Sequence, residues 1–155
     1  MNESAGARES ERNITMIEQI TVFLENKKGR LAALCRSLGD AGISMKALTV
    51  ADTSSFGIVR ILASAPEAAL KVLNENGFRA SLARVFAVEI PDRAGGLAEL
   101  LEALDRAGIN VEYAYCFIIN GECAIDILKT DMPDAAETAI RDAGYRIVEP
   151  NELYG

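Results

Sequence analysis

Short apolar runs alternate along this chain with stretches in which leucine recurs at helical spacing, and that alternation predicts the elements. Ile20–Leu24 and Val85–Ile90 are compact apolar runs of strand length. Each is followed by an amphipathic helix pattern. Leu31, Leu34, Cys35 and Leu38 make the first apolar stripe, and Leu97, Leu100, Leu101 and Leu104 the second. Gly42 and Gly108 stand where a left-handed residue would end each helix. Two strands come next, Met45–Ala51 and Gly57–Ala63 in the first half, Val111–Ile119 and Cys123–Lys129 in the second. Asn120-Gly121 is a short-range hairpin signal between the latter pair. A second helix begins near Pro66 or Pro133, because proline suits a first helical turn, and stops at Gly77 or Gly144. A last strand, Arg79–Arg84 or Arg146–Glu149, closes each half.

The two halves repeat one another. With Asn26 set on Asp92 and no gap, Gly29 meets Gly95, Leu31 meets Leu97, Leu34 meets Leu100, and Ala41-Gly42-Ile43 meets Ala107-Gly108-Ile109. The same register aligns Ile61-Leu62 with Ile127-Leu128; one inserted residue after that point brings Pro66 onto Pro133 and Gly77 onto Gly144. The element order is therefore βαββαβ, twice. That is the ferredoxin-like α+β arrangement, with helices on one face of an antiparallel sheet. The expected organisation is a disordered tail over 1–15, one repeat over 16–84 and a second over 85–155. Hardly any linker separates the repeats, which are expected to fold as one body.

The connections from first strand to first helix hold the interesting chemistry. Glu25-Asn26-Lys27-Lys28-Gly29-Arg30-Leu31 has its counterpart in Pro91-Asp92-Arg93-Ala94-Gly95-Gly96-Leu97. Asn26 and Asp92 are residue types that cap helices through a side-chain oxygen. The glycines beyond them let another molecule approach the backbone closely. A helix start offers unpaired N–H donors and a partial positive charge, and so a place for a carboxylate. Asn26 also carries an amide oxygen suited to a ligand's ammonium. The plainer reading is that every helix needs a cap and that glycine is common near helix starts.

Composition narrows the field. Half the chain is hydrophobic, and 16 basic against 23 acidic residues leave a net charge of −7. That balance excludes a broad phosphate-gripping surface, so no nucleic-acid partner is expected. No apolar run approaches the roughly 20 residues of a membrane span, and residues 1–14 are polar with no signal-peptide core. A cytoplasmic protein with reduced thiols is the expectation. With a turn at Asn120-Gly121, Ile118 would face Cys123, which argues against a Cys116–Cys123 disulfide. Histidine is absent, which removes the commonest general base and metal ligand. No Cys-x-x-Cys pair, phosphate loop or dinucleotide fingerprint occurs. Glu89, Asp92, Glu112 and Asp126 read as solvated or capping residues rather than a carboxylate pair. Asp52–Gly57 reads as a polar hairpin turn, and Tyr113, Tyr115 and Phe117 as alternating residues on one sheet face. The expectation is a non-enzyme without cofactor or metal.

The two loops resemble the E-N-x-P-G-x-L and D-R-P-G-x-L signatures of the ACT domains, regulatory modules of amino-acid metabolism. The resemblance extends from Ile17 to about Leu153 and is nearest to stand-alone tandem proteins. It implies two ACT repeats with antiparallel sheets packed side by side, and a small amino acid bound where they meet. By similarity to serine-responsive ACT domains of phosphoglycerate dehydrogenase, Asn26 and Asn110 hold the ligand. Gly29, Arg30 and Leu31 supply backbone amides, with Lys28, Ile109 and Val111 adjoining. The mirror-image site would combine Asp92, Ala94, Gly95, Gly96 and Leu97 with Ser44 and Met45. Lys28 and Ala94 depart from the family's loop proline, and Ser44 from its asparagine, which makes the two sites unequal. The implied role is an allosteric amino-acid sensor that leaves room for a homodimer and a biosynthetic-enzyme partner. The alternatives are a regulatory subunit resembling the small subunit of acetolactate synthase and, more remotely, an acylphosphatase-like enzyme using Arg30 or Arg93.

Overall fold

The computed structural model describes residues 15–52, 55–119 and 121–154. Among these, seven strands and five helices follow in order: β1 Ile17–Glu25, α1 Arg30–Asp40, β2 Met45–Asp52, β3 Phe56–Ala63, α2 Pro66–Glu75, β4 Arg79–Pro91, α3 Gly96–Arg106, β5 Val111–Ile118, β6 Cys123–Thr130, α4 Pro133–Asp142, β7 Arg146–Ile147 and α5 Pro150–Tyr154. Among the described residues two compact units result, one over Glu18–Ala83 and one over residues 84–154 together with 15–17. The fold is α+β, with each unit a ferredoxin-like repeat.

In the N-terminal unit β3 lies antiparallel between β1 and β2. Ile20, Val22 and Leu24 alternate on β1 so that one face packs against Leu34, Leu38, Ala69 and Leu73 of the two helices. In the C-terminal unit β6 lies antiparallel between β4 and β5, and β7 pairs with β4. Phe86, Val88 and Ile90 face Leu100, Leu104, Ala136 and Ile140. A fully buried leucine contributes about 1.5–3 kcal/mol, so Leu34, Leu38, Leu100 and Leu104, all at 0 % exposure, anchor the two cores. Gly42 and Gly108 adopt φ 72° and 73°, and the next amide, Ile43 or Ile109, donates back to Leu38 or Leu104 at 3.0 Å. These are the expected left-handed helix ends.

With hardly any linker between them, Arg79–Arg84 and Val85–Ile90 run together as one continuous β4. Other expectations are overturned. The final strand is only Arg146–Ile147, because Pro150 opens a short helix that was not expected. The hairpin register also differs. Cys116 faces Asp126 and Ile118 faces Ala124, not Cys123. In the first unit Val50 faces Val59 and Leu48 faces Ile61. The core-facing residues of β3 are Val59, Ile61 and Ala63, whereas those of β6 include Ala124 and Leu128. The extra residue of the second repeat therefore lies in the β5–β6 turn, before β6 rather than after it. Matching Ile61-Leu62 to Ile127-Leu128 put each residue on the wrong face, since a one-residue slip inverts a strand. The true counterpart of Asp126 is Val59. Gly121 has φ 83°; Asn120 lies outside the described residues. All three cysteines are free thiols.

Candidate functional site

The strand-to-helix loops are built alike, and not as the sequence suggested. Neither Asn26 nor Asp92 caps its helix. The N-cap residues are Gly29, at φ 86° and ψ −11°, and Gly95, at φ 83° and ψ −6°, and no side chain caps either helix. The Arg30 amide donates to the Lys27 carbonyl at 3.3 Å and the Gly96 amide to the Arg93 carbonyl at 3.0 Å. A left-handed glycine at the third position of such a closed turn defines type II. Only glycine takes that conformation without strain. Since the turn engages the Arg30 and Gly96 amides, they are not the open donors. The next two, Leu31 and Ala32 or Leu97 and Ala98, are left without intrahelical partners by helix geometry, because the helical bonding begins at Ala33 and Glu99, which donate to Gly29 and Gly95 at 3.0 Å.

The loops differ in their side chains. Asn26 is exposed, its backbone N–H donating to the Ser55 carbonyl at 3.1 Å, and Lys28 is exposed beside it. Arg30 lies over the Phe78 ring, 4.6 Å from its centroid. In the second loop Arg93 forms a forked pair with Glu99 at 3.1 and 2.7 Å, which lowers the Glu99 carboxyl and raises the guanidinium. Asp92 and Ala94 are exposed. A Cβ on Gly96 would clash with the Pro91 carbonyl oxygen, so no side chain fits where the first loop has Arg30. Both loop arginines have partners within the chain.

The segments after α1 and α3 hold the remaining candidates. Asn110 is exposed between buried Ile109 and half-buried Val111. Ser44 and Met45 are exposed, and the Ser44 carbonyl accepts from the Ser64 amide at 3.0 Å. Asn26 belongs to the N-terminal unit and Asn110 to the C-terminal unit.

Each unit also has a cleft that no motif or spacing had foretold. One, of about 500 Å³, is lined by Phe23, Asn74, Phe78, Arg79 and their neighbours. The other, of about 370 Å³, is lined by Glu89, Glu122, Cys123, Tyr145 and Arg146 among others. Arg146 bonds Glu89 at 2.9 Å and Glu152 at 2.8 Å, and the Cys123 thiol donates to Glu89 at 3.2 Å. The thiol and the guanidinium together hold the Glu89 carboxyl below its ordinary value.

The second polar feature is inside the C-terminal unit. Asp126, expected at the surface, is fully buried on the helix-covered face of β6. The Cys116 thiol donates to its Oδ1 at 3.3 Å, and its Oδ2 is buried with no hydrogen-bond partner among the described residues. Burial pushes this carboxyl up to about 6. Burial, then the charge of Asp126, pushes the thiol to about 12, so Cys116 remains a neutral donor.

A family model described as an ACT domain pair matches residues 15–154, which takes in both repeats and both loops. The chain belongs to the ACT domain pair family. Among solved structures, this ACT pair is similar to protein BT0572 from Bacteroides thetaiotaomicron at 30% identity and TM-score 0.86, covering 92% of this chain and 98% of that one. It shares its fold with the regulatory subunit of aspartate kinase from Thermus thermophilus, at 19% identity, TM-score 0.62 and coverage of 85% and 95%. The corresponding subunit from Thermus flavus matches at 18%, TM-score 0.60 and coverage of 84% and 93%. No curated protein sequence matches the ACT pair. Among the described residues no group of three His, Cys, Asp or Glu is placed to hold a metal ion, and no helix is long and apolar enough to cross a membrane.

Proposed function

We propose that this ACT pair is a non-catalytic cytoplasmic regulator that binds a small amino acid. The observation that carries the reading is the type II turn at the head of α1, which leaves the Leu31 and Ala32 amides open beneath a glycine. Amides at a helix start receive a carboxylate with the dipole in their favour. Asn26, with Lys28 and Gly29 beside it in the same loop, is assigned the remaining polar groups of the ligand. The second loop, with Asp92 in place of Asn26, is assigned the weaker site. For such binding to regulate, the ligand must favour one state of the protein over another.

A thermal-shift screen against the twenty standard amino acids tests this. A ligand at a hundred times its Kd adds about 2.7 kcal/mol of stability, and the shift should be lost in Asn26→Ala. An equal shift in wild type and this variant would remove the assigned site; no shift with any amino acid would remove the function.

A second reading, a regulatory subunit for an amino-acid biosynthetic enzyme, is favoured by one surface. Phe23 and Phe56 are 55 % and 45 % exposed. Phe23 stands opposite Ile58, and Phe56 opposite Glu25, on the β1–β3 face turned away from the core. Exposed apolar patches of this kind mark contact surfaces. The fold shared with the Thermus subunits fits that reading, and co-purification of an enzyme with the wild type but not with Phe23→Ser would support it.

A further inference from the structure

The two clefts occupy the same place in the repeat. Phe78 and Arg79 follow the glycine that ends α2, as Tyr145 and Arg146 follow the glycine that ends α4, and Phe23 corresponds to Glu89. Each set lines its own cleft. In the C-terminal unit Glu89 stands opposite Arg146, whose Nε and Nη2 lie 2.9 and 2.8 Å from its Oε2. There the chain supplies its arginine with a carboxylate. In the N-terminal unit a phenyl ring stands in that carboxylate's place. Arg79 is exposed and has neither a hydrogen bond nor an ion pair through its side chain among the described residues.

The cleft of the N-terminal unit combines donors with aromatic rings. Ala80 and Leu82 pack into the helix-side core, so Arg79 and Ser81, at alternate positions of β4, project from the opposite face, the one that carries Phe23. Asn74, at the end of α2, lines the cleft as well. Its Oδ1 accepts from the Ala80 amide at 3.2 Å, which leaves its NH2 as a further donor. None of the described residues that line the cleft is acidic. The acids nearest to it in sequence, Glu25 and Glu75, are each paired with a lysine, at 3.1 and 3.9 Å. Concave sites with aromatic walls and a few convergent polar groups are the form that small-molecule sites take.

We propose that this cleft is a second ligand site, distinct from the Leu31 and Ala32 amides, and that it takes a small aromatic carboxylate. The ligand's carboxylate meets Arg79 as Glu89 meets Arg146, a charge-assisted pairing that the guanidinium is shaped to make. Its ring packs on Phe23, whose exposed face offers a stacking surface. With no acidic group in its lining, the cleft has no counter-charge for an ammonium, so it accepts aromatic acids that lack an amine. The inference goes beyond the amino-acid reading and does not depend on it.

Backbone NMR titration of the full chain with 3-phenylpropanoate gives the test. The wild type should show saturable shifts at Phe23 and at Phe78–Ser81. Losing a hydrogen-bonded ion pair costs roughly 10- to 100-fold in affinity, and Arg79→Leu should lose that factor. Phe23→Glu, which gives the first unit the second unit's residue, should lose it too, because the new carboxylate pairs with Arg79. Both positions are exposed, so both variants should fold, with unchanged circular dichroism. Wild-type affinity in either folded variant, or saturable shifts confined to other residues, would overturn the assignment. No binding at all would overturn it as well and leave Phe23 to a protein contact. Phenyl phosphate is the second probe: tighter binding than the carboxylate's would overturn the head group assigned here. Because 3-phenylpropanoate carries no ammonium, the amino-acid screen can succeed or fail without this site.

Discussion

Asp126 has a measurable consequence. Its carboxyl rises from an ordinary 3.8 to about 6 because burial penalises the charge, while the Cys116 hydrogen bond pulls the other way. The folded state then holds a proton that the unfolded chain releases, so the stability this group contributes is fully present below about pH 4 and is lost as pH climbs through 6. The window corresponds to about 3 kcal/mol. Glu89, Glu99 and Glu152 are all lowered and act with the opposite sign, losing their contribution as the solution is acidified. The wild type alone therefore mixes the two effects, and the comparison with Asp126→Asn separates them. Relative to that variant the wild type should lose about 2.4 kcal/mol between pH 4 and pH 7, read from urea unfolding at each pH. Parallel curves for the two proteins would show that Asp126 is not held in a desolvated core.

At the level of single elements, the loop turns explain a departure visible in the sequence. In a type II turn the second position takes the same negative φ that the proline ring imposes. That position is Lys28 in one loop and Ala94 in the other, and neither amide donates a backbone hydrogen bond among the described residues. Lys28→Pro and Ala94→Pro should each stabilise the protein by about 0.4–1 kcal/mol by restricting the unfolded chain, seen as a higher thermal midpoint with unchanged circular dichroism. A fall in the midpoint would mean that the turn is not of this type. The loops were legible as glycine-bearing helix starts but not as turns. Asn26 and Asp92 are good caps by residue type, yet each lies three residues before the glycine that holds the cap position. The β5–β6 register was illegible for a related reason. Ile61-Leu62 and Ile127-Leu128 match by identity, and apolar residues on both faces of a buried strand carry no alternation to reveal a slip of one. That slip hid Asp126, which could be recognised as a core position only once the turn had been given its extra residue.

Across the whole molecule the repeat was the readable feature, because leucine spacing, helix-ending glycines and helix-starting prolines recur in both halves and each has a local physical cause. What the repeat conceals is how far the halves have diverged. Asn26 answers to Asp92, Arg30 to Gly96, Ser44 to Asn110, Phe23 to Glu89 and Val59 to Asp126. The fold has been kept twice while the polar groups have been dealt unevenly: the first loop carries the neutral amide and the second unit the buried carboxylate. A second carboxylate-accepting site would have to form in the loop that carries Asp92, an acidic residue where the first loop has Asn26, and a carboxylate there disfavours an incoming one. Titration calorimetry with the amino acid should therefore give one tight site per chain. Asp92→Asn, which removes the repulsion and restores the first loop's residue, should bring a second, weaker event into view. Two equal sites in the wild type would mean that the loops alone govern binding and that the divergence of the halves has no bearing on the ligand.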